Sequence, residues 1–317
     1  MSFPVFDLHC DTAFAMLGRD MRASNNLRKN NLHIDLERAA LLDGYAQCFA
    51  CFTTTWENNL SGLTVEDIFE REISVLMREL NANQDTISLA YNASDVVENY
   101  SNGLMSAILS IEGPAGFGFD PALLENLYQI GFRITTLGWN ERNCLTGSHV
   151  TGGGLTDLGR EYVHEAQRLG MVIDVSHISD EGFWDIMSIT QAPVIASHSN
   201  SRSTFNASRN LSDDMFQAIC QAGGVAGLNL YAGFVGENPN LDLACKHILH
   251  FLEIDPTGKH IALGGDLDGC NPLCSGFEGI QDYPKFAQVL IHCGVSEDTV
   301  QDLFWNNALR VLSECGK

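Results

Sequence analysis

Short apolar segments rich in β-branched residues alternate along the chain with longer segments of helical periodicity. Several of the longer segments begin with Ser, Thr or Asp and end on Gly, as capped helices do. Near-continuous apolar strands that alternate with helices are typical of parallel strands covered on both faces. The pattern predicts eight strands, at residues 5–9, 45–52, 106–111, 133–137, 171–176, 193–197, 224–229 and 260–265.

The number of strand–helix units determines the expected architecture. Eight units favour a TIM-type (β/α)8 barrel over an open doubly wound sheet, and no GxGxxG or GxxxxGK(S/T) motif follows the first strand to support a nucleotide-binding sheet. We therefore expect an α/β fold with a single metal-dependent-hydrolase-like barrel domain over residues 1–317, and two extra C-terminal helices in residues 296–316. The clearest amphipathic helices are predicted at residues 64–80, 156–170, 179–189 and 212–224.

Composition excludes several classes of partner. The chain is 45% hydrophobic, which is enough for a large core, and its formal net charge of −22 disfavours binding to nucleic acid or to anionic membranes. No apolar run reaches the roughly 18 residues that span a bilayer, and no signal peptide is evident, so we expect a cytoplasmic protein. The ten cysteines predict reduced thiols, including the Cys48–Cys51 CxxC, which lies in an apolar strand.

Polar residues stand where several predicted strands end, and in a barrel those ends line one shared mouth. The first strand ends in His9 and Asp11, which share a strand face because they are two residues apart. Three imidazoles and three carboxylates suit Zn²⁺ or a similar ion, and their charge suits a pair of metals bridged by Glu112 and a hydroxide. The full set is His9, Asp11, Glu112, His177, His198 and Asp266.

Other histidines have simpler structural interpretations. A second HxD motif, His33 and Asp35, begins an amphipathic helix, so Asp35 is predicted to cap that helix. His260 begins the last strand, at the opposite end of the barrel from the mouth. Three more lie in predicted helices and are interpreted as structural: His164, His247 and His250.

The motifs also carry a family resemblance. The chain resembles the renal (membrane) dipeptidase family, peptidase family M19, in motifs that follow the family's order from residue 6 to residue 312. They are "FDLHCDT", "ILSIEG", "GGLTDLGREYVHEAQRLGMVIDVSHISD", "PVIASHSNSRS", "ASRNLSDD", "GGDLDG" and "GIQDYPKFAQVLIHCGVSEDTVQDLFWNNALRVL". The resemblance implies an amidohydrolase-type (β/α)8 barrel with two Zn²⁺ ions per chain. It is closest in kind to bacterial-type cytoplasmic members, and a homodimer is a family expectation.

The resemblance also implies roles for individual residues. His9 and Asp11 match the ligands of one zinc, His177 and His198 those of the other, and Glu112 matches the bridging carboxylate. The arginine of "ASRN", Arg209, matches the residue that binds the substrate's terminal carboxylate. The acid/base aspartate is Asp266 or Asp268, and Asp266 is preferred because it follows the strand directly.

One segment departs from the mammalian members of the family. They carry a substrate-binding histidine after the fourth strand, in a "TLTHS"-like segment, whereas this chain has Trp139 in "TTLGWNERN". Asn140, Arg142 or His149 is the expected replacement for the carbonyl-polarising donor. Asn140 and Tyr231 are predicted substrate-binding residues.

The expected activity is zinc-dependent hydrolysis of dipeptides by a metal-bridging hydroxide, with L,L-dipeptides as the main substrates and L,D-dipeptides as an additional expectation. Asp266 would act first as general base and then as general acid. No GxSxG nucleophile motif is present. The alternatives are another binuclear amidohydrolase that acts on a lactone, a cyclic amide or an amine, and a metal-binding barrel without catalysis.

Overall fold

The computed structural model describes residues 3–18, 20–53, 62–114 and 121–316. Its sheet is entirely parallel, and its strands are buried along almost their whole length, which explains their continuous apolar sequences. The strands are β1 Val5–Cys10, β2 Tyr45–Phe52, β3 Ile87–Leu89, β4 Met105–Glu112, β5 Phe132–Thr136, β6 Val172–Asp174, β7 Val194–Ala196, β8 Val225–Leu228 and β9 Ile261–Leu263.

Eight of these strands close into a barrel. The order is β2-β1-β9-β8-β7-β6-β5-β4, and β2 also pairs with β4, which completes the ring. The predicted (β/α)8 barrel is therefore confirmed, and each of the eight predicted strands is present. The additional strand β3 lies outside the ring and pairs with the first part of β4. Its three residues, Ile87–Leu89, are too few to give a periodic signal in the sequence.

The register of the ring sets the level of the mouth. β2 and β4 pair in register from Ala46↔Ser106 to Phe52↔Glu112, so Phe52 and Glu112 end side by side. In β1, the buried Asp7 carboxylate accepts hydrogen bonds from the backbone N–H of His9 at 2.9 Å and of Gly265 at 3.0 Å. Asp7 thus ties the end of β1 to the end of β9.

The helices begin at the caps that the sequence predicts. Thr64 caps the helix Val65–Ala82 in a reciprocal capping box with Asp67, and Gly170, with φ 88°, ends the helix Asp157–Leu169. The remaining α-helices are Thr12–Ala15, Leu36–Ala39, Ala93–Ser101, Pro121–Ile130, Asp180–Ile189, Asp213–Gln221, Ala232–Val235, Leu241–Ile254, Tyr283–His292, Glu297–Gln301 and Asn307–Cys315, and a 3₁₀ helix spans Ile280–Asp282.

The two helices predicted for the tail are present, at Glu297–Gln301 and Asn307–Cys315. They are joined without a break by a wider π-helical turn, Asp302–Asn306. No Gly or Pro interrupts this segment. Trp305 packs on Phe6 with a ring-centroid distance of 5.8 Å, so the tail covers the end of the barrel opposite the mouth.

The cysteines agree with the expectation from composition. All ten cysteines are free thiols, and both Cys48 and Cys51 are buried in β2. Among the helices of the described ranges, none has the length and apolar character that a membrane-spanning helix requires.

Gly264 follows β9 where three strand ends crowd together. A Cβ at this position would lie 1.7 Å from the carbonyl oxygen of Ser197. We expect Gly264→Ala to lower the free energy of unfolding by about 1–3 kcal/mol or more, because backbone must move to relieve the overlap. Denaturant unfolding measures this, with the exposed Ser188→Ala as control, for which about ±0.5 kcal/mol is expected. Equal stability of the two variants would contradict the close approach.

Candidate metal centre and active site

The six polar residues predicted to meet at the mouth do so. His9 lies in β1 and Glu112 ends β4, while the others lie one to three residues beyond strand ends. Each of the six is at most 8% exposed, so this is a buried cluster of ionisable groups. Its members are His9, Asp11, Glu112, His177, His198 and Asp266.

One half of the cluster lies beside β1 and β9. His9 Nε2 is 3.3 Å from Asp11 Oδ2. Potential ligand atoms of His9, Asp11 and Asp266 all lie within 4.8 Å of one another, which is a spacing that a single cation can span.

The other half lies beside β6 and β7. His177 Nε2 is 3.0 Å from His198 Nε2, and it is 2.9 Å from Glu112 Oε1. His198 Nε2 is 3.9 Å from the same oxygen. The second oxygen, Glu112 Oε2, lies 3.5 Å from His9 Nε2, so the Glu112 carboxylate connects the two halves.

The donor atoms of the cluster fit a bound metal. Within the part of the chain that the structure describes, His9 Nε2, Asp11 Oδ1 and Glu112 Oε1 are buried without a hydrogen-bond partner. Burying unpaired polar atoms is unfavourable, and atoms of this kind usually have a function. Imidazole nitrogen and carboxylate oxygen are the ligands that Zn²⁺ and related divalent ions accept.

The three histidines of the cluster differ in the direction in which their pKa values are shifted. Burial lowers the pKa of His177 and of His198 well below the ordinary value, so both imidazoles are neutral and offer lone pairs. Burial acts in the same direction on His9, but the Glu112 and Asp11 carboxylates outweigh it and raise its pKa to about 10. Burial also raises the pKa of Glu112 well above its ordinary value. A cation among these groups would replace the proton that the acidic side of the cluster otherwise retains.

Unusual backbone conformations aim two of these side chains at the mouth. His177 and Asp266 have φ of 67° and 56°, in the left-handed region that non-glycine residues rarely adopt. Strained residues of this kind cluster at functional sites, where the surrounding structure holds them in place. The sequence carries no signal for this conformation.

Asp266 and Asp268 occupy different environments. Asp266 faces His9 and Asp11, and burial raises its pKa to about 6. Asp268 instead accepts hydrogen bonds from Thr12 Oγ1 at 2.7 Å and from the backbone N–H of His33 at 2.6 Å. Asp268 is therefore occupied in joining two loops, and the geometry favours Asp266 as the carboxylate that faces the cluster.

Arg209 is buried near the cluster, in the loop after β7. Its Nη1 donates to Ser199 Oγ at 2.6 Å, whereas its Nε and Nη2 have no partner among the described residues. Its guanidinium carbon lies 5.9 Å from the centre of the Phe234 ring. Burial lowers its pKa to about 10, so the side chain keeps its charge at neutral pH. A buried guanidinium with two free donor groups is suited to an anionic ligand.

The residues near Trp139, where the family histidine would fall, make different contacts. Asn140 Oδ1 is 3.0 Å from His177 Nδ1 and 2.8 Å from His149 Nε2. The Trp139 ring centre is 6.3 Å from that of His177. Arg142 is exposed and donates to the carbonyl oxygen of Gly152 at 3.0 Å, so it is held away from the cluster.

The structure also shows the contacts of Tyr231 and Asp35. Tyr231 precedes the helix Ala232–Val235 and packs edge-on against Phe234, the ring beside Arg209. Asp35 caps Leu36–Ala39 by accepting from the backbone N–H of Arg38, as predicted.

Two residues of this site were missed in the sequence. Asn229 is fully buried at the end of β8 and donates to Asp266 Oδ2 at 3.0 Å. Asp174 is buried at the end of β6 and accepts from Ser197 Oγ at 2.6 Å, and that oxygen lies 2.6 Å from His198 Nδ1. A carboxylate inside the apolar run "VIDVS" and an Asn at a predicted strand end were the available signals.

Comparison with known proteins identifies the family. The family model described as membrane dipeptidase (Peptidase family M19) matches residues 1–317. The chain belongs to this family. M19 is a family of metallopeptidases, which agrees with the metal-type donor set of the mouth.

Individual relatives cover much of the chain. An uncharacterized dipeptidase of Schizosaccharomyces pombe is 31% identical over 76% of this chain and 61% of its own length. The dipeptidase tcpJ of Claviceps purpurea is 26% identical over 89% of this chain and 69% of its own length. A crystal structure of a metallo peptidase from Rhodobacter sphaeroides, liganded with a phosphinate mimic of L-Ala-D-Ala, has a TM-score of 0.88 at 21% identity and covers 99% of this chain and 100% of its own. This likeness shows that the two share the fold.

Divalent metal should stabilise the chelator-treated protein, because the ion binds the folded cluster and not the unfolded chain. At 100 times its Kd, one bound ion raises the free energy of unfolding by about 2.7 kcal/mol. In Glu112→Gln the increase should be much smaller, since this change removes the charge that connects both halves. Thermal and denaturant unfolding with and without metal measure the difference. His250→Ala, which loses a peripheral ion pair with Asp213, should respond like the unmodified chain, and an undiminished response of Glu112→Gln would contradict the assignment.

Proposed function

We propose that the protein is a two-zinc dipeptidase that hydrolyses the peptide bond of free dipeptides. The observation that carries the proposal is the buried Arg209 beside a buried His and carboxylate cluster. Its Nε and Nη2 have no hydrogen-bond partner among the residues that the structure describes. A metal cluster alone fits many hydrolases. A buried cation next to it fits a substrate with a carboxylate close to the bond that breaks. Membership of family M19 supports the same conclusion.

In the proposed centre, His9 and Asp11 would hold one ion and His177 and His198 would hold the other. Glu112 would be a ligand of both, in keeping with its short distances to His177 and His9. When bound, the two ions would lower the pKa of a bound water and polarise the scissile carbonyl.

Asp266 is the proposed acid/base residue. Asn229 donates to its Oδ2 and so holds the carboxylate in place, leaving Oδ1 to exchange protons. Oδ1 accepts a proton from the attacking water as the new C–O bond forms. It then gives that proton to the amine nitrogen as the C–N bond breaks. Burial, which raises the pKa of Asp266 to about 6, brings the group closer to the range in which it can both accept and return a proton.

Arg209 is proposed to bind the substrate's terminal carboxylate through its free Nε and Nη2. Ser199 holds the third nitrogen, Nη1, and so fixes the plane of the guanidinium. A fixed, two-pronged donor restricts the substrate to a short peptide, because the carboxylate must lie one residue beyond the scissile bond. Asn140 and Tyr231 remain proposed substrate contacts, whereas Arg142 is no longer proposed as the carbonyl donor because it is bound to Gly152.

The finer properties are also proposals. We propose turnover of L,L-dipeptides, and of L,D-dipeptides because the Rhodobacter sphaeroides metallo peptidase of the same fold was crystallised with a mimic of L-Ala-D-Ala. The single-domain organisation, the cytoplasmic location and the homodimer rest on the sequence expectations and the family resemblance.

A direct assay distinguishes dipeptide hydrolysis from the alternative functions. Zinc-loaded protein is incubated with L-Ala-L-Ala, L-Ala-D-Ala, L-Ala-L-Ala amide and a γ-lactone, and released amino acid or opened lactone is measured. The dipeptides should turn over. The amide should have a kcat/KM lower by a factor of about 10 or more, since it loses charged hydrogen bonds worth about 1.5–3 kcal/mol. No turnover of any dipeptide would remove the proposal, and preferential opening of the lactone would favour another amidohydrolase reaction.

Substitution of Arg209 tests the carboxylate contact. In Arg209→Met, which keeps much of the buried volume, KM for L-Ala-L-Ala should rise by about 10-fold or more, because hydrogen bonds to a charged group are lost. The difference between dipeptide and amide should then largely disappear. The matched control is Arg202→Met, on the same loop as Arg209. This variant loses an ion pair with Asp180 and should keep the difference between dipeptide and amide. An unchanged preference for the free carboxylate in Arg209→Met would argue against the contact.

A further inference from the structure

We infer that Asp174 and Ser197 form a proton-orienting pair that fixes which ring nitrogen of His198 carries hydrogen. Through this pair, Nδ1 is kept protonated and the Nε2 lone pair is directed into the mouth. The inference concerns positioning residues, and its link to metal binding rests on the proposed function. Among the described residues, neither Asp174 nor Ser197 is hydrogen-bonded to a residue of the proposed substrate site, and both contact the cluster through His198.

Asp174 accepts four hydrogen bonds in the barrel interior. Its Oδ1 accepts from the backbone N–H groups of Ser176 and Ser197, each at 2.9 Å. Its Oδ2 accepts from the hydroxyls of Thr136 at 2.7 Å and Ser197 at 2.6 Å. The two backbone donors cannot reverse direction, so they fix the orientation of the carboxylate. Because each of these four groups donates a hydrogen bond, the Asp174 carboxylate acts only as an acceptor towards them.

The direction of the next hydrogen bond follows from the hydroxyl of Ser197. A serine hydroxyl has one hydrogen, and in this arrangement it goes to Asp174 Oδ2. Ser197 Oγ also lies 2.6 Å from His198 Nδ1, and there it can only accept. A neutral imidazole carries a single N–H. Nδ1 therefore holds the hydrogen, and Nε2 presents its lone pair towards His177 Nε2 and Glu112 Oε1.

The arrangement is distinct from a nucleophilic triad. In a Ser–His–Asp triad the histidine lies between the other two, and the serine faces the substrate. Here the serine lies between the carboxylate and the histidine, and Ser197 is only 1% exposed. Its hydroxyl is also on the Nδ1 side of His198, away from the cluster. Ser197 is thus a spacer between carboxylate and ligand rather than a nucleophile.

The pair has a counterpart at the other histidine of the same half. His177 Nδ1 faces Asn140 Oδ1, an amide acceptor that also faces His149. Ligand histidines in metal sites usually donate their outer N–H in this way, which fixes ring orientation and basicity. His198 differs because its outer acceptor is a hydroxyl whose direction depends on a second residue. Because of this dependence, one substitution of similar shape can reverse the direction of the hydrogen bonds that join Asp174, Ser197 and His198.

Asp174→Asn should reverse the direction of the hydrogen bonds that join residue 174, Ser197 and His198. The backbone N–H groups of Ser176 and Ser197 hold the asparagine oxygen at the Oδ1 position, so the amide NH₂ takes the place of Oδ2. The amide then donates to Ser197 Oγ, and the serine hydroxyl turns to donate to His198 Nδ1. His198 must then carry its hydrogen on Nε2, which points into the mouth. An almost shape-neutral substitution would thereby remove a lone pair from the cluster.

The experiment uses nitrogen-15 histidine NMR of the full-length protein after chelator treatment, with His198→Gln to assign the signals. The unmodified chain should show His198 as the Nδ1–H tautomer, and Asp174→Asn should show Nε2–H. Metal titration should give a weaker site by about 10- to 100-fold in Asp174→Asn. Ser197→Ala should lose less metal affinity, because His198 can then adopt either tautomer. Ser110→Ala, which removes another buried barrel hydroxyl, should change neither readout.

The outcomes separate this inference from the proposed function. An unchanged His198 tautomer in folded Asp174→Asn would overturn the orienting pair, even if the protein hydrolyses dipeptides. So would a larger affinity loss in Ser197→Ala than in Asp174→Asn, since that order indicates simple packing. If the tautomer switches and metal affinity falls while no dipeptide is hydrolysed, the inference stands and the proposed activity fails.

Discussion

The Glu112 carboxylate is the group on which the mouth of this barrel depends. It is buried and lies within 3.5 Å of His9 on one side and 2.9 Å of His177 on the other. Placing several carboxylates in so small a buried volume is unfavourable unless positive charge balances them. The same short distances bring together donor atoms that suit a divalent cation. The barrel provides the rigidity, because Glu112 is the last residue of β4 and is fixed by pairing on both sides.

Charge in the rest of the site is arranged around that carboxylate. Arg209 is the buried cation on the same side as the neutral His177 and His198, and it contributes to lowering the pKa of both. On the other side of the cluster, burial raises the pKa of Asp266. An anionic group is therefore favoured near Arg209, and a proton is favoured on Asp266. For the proposed dipeptide substrate, this polarity would favour one direction across the mouth.

Much of the fold and of the ligand cluster could be predicted from the sequence. The barrel strands are continuous apolar runs with sharp ends, and polar residues at those ends converge for topological reasons. Features of only a few residues, such as β3, and contacts made after folding gave no periodic signal. The choice between Asp266 and Asp268 depended on which loop each contacts, and both have positive φ. The pairing of Asp174 with Ser197 joins two strands through side chains, and neighbouring letters in the chain do not encode it.

The ring is closed by contacts between distant parts of the chain. β1 pairs with β9 through Asp7↔Leu263, and the cluster draws residues from His9 to Asp266. During synthesis, the earliest ligands therefore emerge long before the last ones, and no N-terminal fragment holds the complete set. Such long-range closure is intrinsically slow compared with local helix formation. Assembly of the complete set of donor atoms is thus a late event in folding, and barrel closure is the step that brings the first and the last of these residues together.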